Sequence, residues 1–137
     1  MTMISERSFQ LNEPSEDFDQ AALDELAASG RNGRVGQVLL SETDRVRVWL
    51  INLQPGERLP FHRHVLDYFW TAVTPGRGRS RYSDGKVREF EYARGETRHL
   101  KAGTDGSITH DLTNIGDGPL SFVTVEFTNG PNTPLPI

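Results

Sequence analysis

The chain contains no cysteine. That removes disulfides, thiolate metal ligands, a catalytic thiol and CxxC redox chemistry together. A metal site in this sequence has to be built from His, Asp, Glu and water, a donor set that points to Zn, Ni, Fe, Mn or Cu held by imidazole. Long apolar runs are missing as well, and none approaches the roughly 20 residues needed to cross a bilayer. The opening segment Met1-Thr2-Met3-Ile4-Ser5-Glu6-Arg7 lacks the apolar core of a signal peptide. The expected location is therefore the cytoplasm, with no membrane partner. A basic excess is absent too: the formal net charge is −4. Glu13, Glu16, Asp17, Asp19, Asp24 and Glu25 crowd the front of the chain. Nothing resembles the concentrated basic surface of a nucleic-acid binder.

What is present suits a single soluble domain. The 137 residues match the common domain size of roughly 100–150 residues. Apolar residues make up 35% and charged residues 25%, enough apolar material to bury a core and too much for a disordered chain. Residues 1–34 read as an arm followed by a short helix. The arm is extended to Pro14, and the helix runs from Ser15 to Gly30. Asp17 with Gln20 three residues later resembles a capping box, and Gly30 fits the position just past a helix end. Phe18, Ala22 and Leu26 repeat at helical spacing and give a narrow apolar face for packing.

From about Val35 the pattern changes to short strands with turn punctuation, continuing to about residue 128, with a Pro-rich tail at 129–137. In Arg45–Leu53, Val46, Val48 and Leu50 alternate against Trp49, Ile51 and Leu53. Leu59–His64, Asp67–Val73, Arg77–Tyr82, Val87–Tyr92, Thr97–Leu100, Thr109–Asn114 and Leu120–Phe127 follow, separated by Gly- or Pro-bearing gaps. Asp84-Gly85 is a strong hairpin signal. Many short strands without interleaved helices predict an all-β sandwich or barrel and exclude a βαβ fold.

Two of the four histidines stand as His62-Arg63-His64. Residues i and i+2 of a strand share a face, so both imidazoles project together at a separation one metal ion can bridge. His110, in a late strand, could face them across a closed barrel and complete a facial set. The bland alternative is a pair of ordinary polar histidines.

The surroundings add to this. Gly56, His62-x-His64 and Gly76 resemble the first motif of the cupins. Gly95, Ala102-Gly103 and His110 with Asn114 four positions on resemble the second. The resemblance covers about Val35 to Phe127, and it is loosely similar to small bacterial cupins associated with β-alanine breakdown. It implies a cupin-type antiparallel β-barrel (double-stranded β-helix, or jelly roll) with a short N-terminal helix. It further implies a divalent metal ion (Fe, Ni, Zn or Mn) on His62, His64 and His110, and a homodimer. The expected function is that of a metal-dependent enzyme, dioxygenase-like or lyase/isomerase-like, acting on a small carboxylate-bearing metabolite. The alternative is a non-catalytic small-molecule-binding or sensing cupin.

The sequence departs from the pattern in places. The motif glutamate would fall at Tyr68 or Phe69, neither a carboxylate, and Asp67 lies one position early. Asp67 reaches the site only if a bulge re-aims it. Lys101 stands where proline is usual, and the stretch from Gly103 to His110 is long, so residues 104–107 form a lid or a bulge. Tyr68 is the candidate catalytic residue, as a hydrogen-bond donor or general acid, if the strand runs unbroken from His64. Trp70 and Tyr82 are further candidates to line the pocket, against the alternative that all three are core. His99, beside Arg98, could serve as a ligand or a proton carrier, against the alternative of an exposed or hydrogen-bonded strand-end histidine, and it stays outside the core set. Arg77, Arg79 and Arg81 share one strand face, either clamping a carboxylate inward or forming a solvated or intersubunit face near Glu89 and Glu91.

Overall fold

A computed structural model of the chain describes residues 1–137. Its elements are β1 (Thr2–Ser8), α1 (Gln20–Ala28), β2 (Val38–Glu42), β3 (Val46–Leu53), β4 (Arg58–His64) and β5 (Asp67–Ala72), then β6 (Gly76–Arg81), β7 (Lys86–Tyr92), β8 (Thr97–Lys101), β9 (Ile108–Asn114) and β10 (Leu120–Phe127). They form two five-stranded antiparallel sheets, ordered β1-β7-β6-β9-β4 and β2-β3-β10-β5-β8. The sheets enclose the interior between them without one continuous ladder closing into a barrel.

The arm at the front is more than an arm. Thr2–Ser8 pairs along β7 and becomes the outer strand of the first sheet. The helix starts later than its capping signature predicts. Asp19, not Asp17, is the N-cap, its carboxylate accepting from the Ala22 amide at 2.8 Å. Asp17 is instead engaged by Arg7 at 2.9 Å. Gly30 does not close the helix either: it lies within a 3₁₀ turn at Ser29–Arg31 and has no positive φ.

Alternation sorts the strands into two faces. Inward residues of both sheets, among them Ile51, Leu53, Leu59, Leu112, Leu120 and Phe122, form the main core. A second, smaller cluster lies on the outer side of the first sheet, where Phe18 and Ala22 pack against Phe61 and Val87. The Asp84-Gly85 hairpin joins β6 and β7. Gly85 sits at φ +88°, and a Cβ there would collide with the Phe9 carbonyl. Only glycine satisfies both conditions.

The arginine stripe faces outward, because Gly78 and Ser80, the residues between, are the buried ones. Arg77 lies 4.0 Å from Glu91, and Arg79 is in register with Glu89. Arg81 is different. It donates from Nε and Nη2 to Asp111 at 2.9 and 2.7 Å. Asp111 is fully buried and also takes the Arg58 Nε at 2.8 Å. Arg58 continues to Glu25 on α1. One carboxylate thus ties β4, β6 and β9 together beneath the helix.

Replacing Asp111 by alanine leaves two partly buried guanidinium groups facing each other. We expect a loss of about 3 kcal/mol, toward the lower end for a broken buried pair because Arg58 retains Glu25. Urea unfolding at neutral pH measures it, and a loss under 1 kcal/mol would mean that Asp111 does not clamp these strands.

Candidate metal centre

The centre begins with a register defect. β4 and β9 pair antiparallel, with an irregularity between Leu59 and His62. A regular strand would send Leu59 and His62 to opposite faces. The bulge lets both face the interior, while Phe61 turns out to the helix cluster. His62 and His64 then share the inward face as their spacing predicts. Arg63 points away, bonding the Ser107 hydroxyl and the Gly30 carbonyl.

His110 joins them from β9, directly paired with His62. This corrects the expected placement across a barrel: the third histidine comes from the neighbouring strand of the same sheet. The ring centroids lie 5.0, 4.7 and 5.2 Å apart. One nitrogen of each lies within 4.8 Å of the others.

The nitrogens are placed for an ion. His62 Nδ1 donates to the Pro60 carbonyl at 2.7 Å, which leaves Nε2 with a free lone pair. His64 Nε2 and His110 Nε2 face each other at 3.2 Å. Two nitrogens at about 2.1 Å from one shared ion stand close to that far apart. The remaining nitrogens, His64 Nδ1 and His110 Nδ1, are buried without a hydrogen-bond partner. It is the convergence of the three Nε2 atoms that fits a metal ion, which needs neutral imidazoles. Burial supplies them, lowering His62 to about 4. His64 is held well below the ordinary range by burial, then by the charge of its two neighbours. His110 is shifted the same way by burial and His62.

Aromatic rings brace the triangle. Tyr68 stacks on His64 at 4.0 Å and 11°, and Tyr82 lies over His110 at 5.4 Å. Burial raises the Tyr68 phenol far above its usual value, so it stays protonated. The route by which Tyr68 arrives differs from the expectation. β5 belongs to the second sheet, so Tyr68 meets His64 from across the interior and not along an unbroken strand.

The centre opens into a cavity of about 790 Å³. Trp70 and Tyr82 line it, as do Thr124, Arg98 and an apolar inner wall that includes Ile51, Phe90 and Phe122. Asp67 does not reach it. Its carboxylate caps the turn before β9, accepting from the Gly103 and Thr104 amides at 2.9 and 3.0 Å and from the Thr104 hydroxyl at 2.7 Å. The segment at 104–107 is accordingly a capped turn at its start, with Ser107 on the cavity rim. His99 is exposed beside Phe69 and takes no part. Asn114, the last residue of the second motif, is structural: its buried amide donates to the Leu53 and Gly118 carbonyls.

Sequence reasoning missed Arg98 and the apolar chamber. The signal for Arg98 was available in strand alternation, since it sits two residues before Leu100, which also lines the cavity.

Comparison with solved structures places the fold. A cupin domain from Bordetella pertussis is similar over 66% of this chain and 88% of its own, with TM-score 0.58 and 24% identity. A double-stranded β-helix protein from Klebsiella pneumoniae covers 78% and 90%, with TM-score 0.54 and 21% identity. An RmlC-like cupin-family protein from Methanocaldococcus jannaschii covers 65% and 75%, with TM-score 0.53 and 20% identity. No protein-family model and no curated protein sequence matches the chain. The fold is that of the cupin domains, the double-stranded β-helix. No helix is long and apolar enough to cross a membrane.

Buried neutral histidines have a consequence for the metal-free protein. His62 titrates near 4 when folded and near 6.5 when unfolded, so below pH 6.5 the unfolded chain binds the extra proton. Stability is full above 6.5 and falls as the pH drops toward 4, by about 3 kcal/mol in total for this residue. Urea unfolding of chelator-treated protein at pH 7, 5.5 and 4.5 tests this. His62→Gln should flatten the slope.

Proposed function

We propose that the chain is a metal-dependent enzyme of the cupin fold acting on a small carboxylate-bearing metabolite. The observation that carries this is the triangle of neutral imidazoles whose ring nitrogens converge beside a cavity large enough for a substrate. His62, His64 and His110 would hold the ion. A divalent Fe, Ni, Zn or Mn would supply Lewis-acid polarisation of a substrate oxygen, or as iron the redox chemistry of a dioxygenase.

The protein's own contribution follows from its donors. With no carboxylate among the three ligands, the positive charge of the centre is not offset, which favours an anionic substrate. Tyr68, kept protonated by burial, acts as a hydrogen-bond donor to a substrate oxygen and not as a base. The stacked Tyr68 and Tyr82 rings restrict the His64 and His110 rings and keep the three nitrogens converged. A non-catalytic binding protein is the second reading, favoured by the diversion of Asp67 into the turn, which leaves no carboxylate base beside the histidines.

The test is elemental analysis of untagged protein, as isolated and after reloading with Fe, Ni, Zn and Mn, beside a His62→Ala/His64→Ala variant. Near-stoichiometric metal that vanishes in the variant is expected. No metal in either would overturn the reading. With the metal identified, oxygen uptake by the iron form and Lewis-acid assays over small acids and diketones separate enzyme from binder. Tyr68→Phe should keep its metal and lose about 10²-fold in turnover.

The homodimer belongs to the same proposal. Outward residues of the second sheet align in apolar rows across strands, Val38-Leu50-Val123 and Val48-Val125-Phe69, and Val38, Leu40 and Phe127 are exposed at the margin. Light scattering should give twice the 15.4 kDa chain mass, and Val125→Glu should return a monomer. A monomeric parent protein would overturn this part.

A further inference from the structure

We propose that Arg98 is the carboxylate-binding residue of the cavity, and that the ligand is a monocarboxylate with an apolar body lodged in the inner chamber. This rests on reading the cavity as the substrate site, but not on the presence of a metal.

The placement of Arg98 comes from the ladder. β8 is the edge strand of the second sheet and pairs with β5, putting Arg98 opposite Trp70 and Leu100 opposite Tyr68. Residues directly opposite in an antiparallel pair share a face, and all four line the cavity. His99, opposite Phe69, points the other way. Arg98 therefore brings a guanidinium to the opening of the chamber, on the wall that also carries Tyr68.

Among the charged residues lining the cavity, the others are already engaged. Glu6 is bonded to Arg88 at 2.6 Å, and Arg88 also lies over the Tyr82 ring. Asp84 accepts the Lys86 amide within its hairpin turn. Arg98 enters none of the ion pairs of the protein. Its charge nonetheless reaches inward, since it opposes the upward shift that burial imposes on both the Tyr68 and Tyr92 phenols. A free fork of donors beside buried phenols is suited to a planar carboxylate.

The chamber beyond it defines the rest of the ligand. Ile51, Leu59, Phe90, Leu112 and Phe122 line it with Trp70. None of these can pair with a second carboxylate, and burying an unpaired one there would be strongly unfavourable. The volume of about 790 Å³ is of the size that holds whole drug-like molecules. Short diacids would leave most of it unfilled. A single carboxylate at the mouth with a hydrocarbon or aromatic body inside satisfies both surfaces.

Calorimetry with butanoate, hexanoate, octanoate, succinate and hexanamide tests the proposal. Affinity should rise roughly threefold to fourfold per methylene along the alkanoates. Hexanamide should bind at least about tenfold more weakly than hexanoate, and Arg98→Gln should lose a similar factor for hexanoate, as expected for a hydrogen-bonded charge. Arg98→Lys should recover part of the loss. Arg98 is exposed on an edge strand, so these variants should fold; circular dichroism and thermal melts check that they do. Arg98→Glu, as a second variant, should reverse the preference toward hexylammonium. Hexanoate binding unchanged in Arg98→Gln would overturn the proposal, as would octanoate no tighter than butanoate, succinate tighter than hexanoate, or no binding of any probe.

The His62→Ala/His64→Ala variant separates the two claims. Arg98-dependent hexanoate binding that is retained in the variant, beside a parent protein that itself takes up no metal, would support this inference while the metalloenzyme reading fails. Loss of binding in the histidine variant with none in Arg98→Gln would place the carboxylate at the histidines, overturning this inference and leaving the other intact.

Discussion

The interior depends on the ladder between β4 and β9. Across it His62 and His110 are direct partners, and the bulge before His62 decides which side chains of β4 look inward. Without the bulge, Leu59 and the two histidines could not share a face, and the chamber wall and the metal centre would be incompatible on one strand. The same irregularity turns Phe61 outward, where it joins Phe18, Ala22 and Val87 beneath the helix. One local defect thus serves two packing problems on opposite sides of a sheet.

The outer side of that ladder carries its own restraint. Asp111 follows His110 in sequence and points the other way, into Arg58 and Arg81. Arg58 belongs to β4 and Arg81 to β6, so the carboxylate holds the strands that deliver the histidines. Its burial is tolerable because each of its oxygens is met by donors. The Arg58 hydrogen bond in turn holds Glu25 below the usual carboxylate range, linking the helix to the clamp. Rigid delivery matters at a metal centre, where small errors in ligand position weaken binding.

The cavity then divides its labour by depth. Neutral imidazoles and protonated phenols stand at one side, apolar side chains fill the inner wall, and charged groups remain at the mouth. Burial is the common cause of the first two properties. It keeps imidazoles neutral and phenols protonated by disfavouring their charged forms, and the same exclusion of water makes the chamber attractive to hydrocarbon.

Much of this was legible in the residues. Alternation and turn punctuation located strands β3 to β10 nearly to their ends, and the i, i+2 spacing of His62 and His64 put both on one face, since that follows from strand geometry alone. Ala22 and Leu26 on a helical stripe were likewise readable, because helical period is local, whereas Phe18 joins the same cluster from just before the helix. Other features were settled only by the tertiary structure. β1 has no strong strand signal of its own and is a strand because β7 offers it an edge. His110 sits beside His62, and Tyr68 reaches His64 across the interior, because the chain changes sheets between β4 and β5. Asp67 carried the right chemistry and was lost to a turn, since local amides captured it. Arg98 became a cavity residue through its register with Trp70. Strand period determines which side chains travel together; which faces meet, and what they enclose, depends on pairings between segments far apart in the chain.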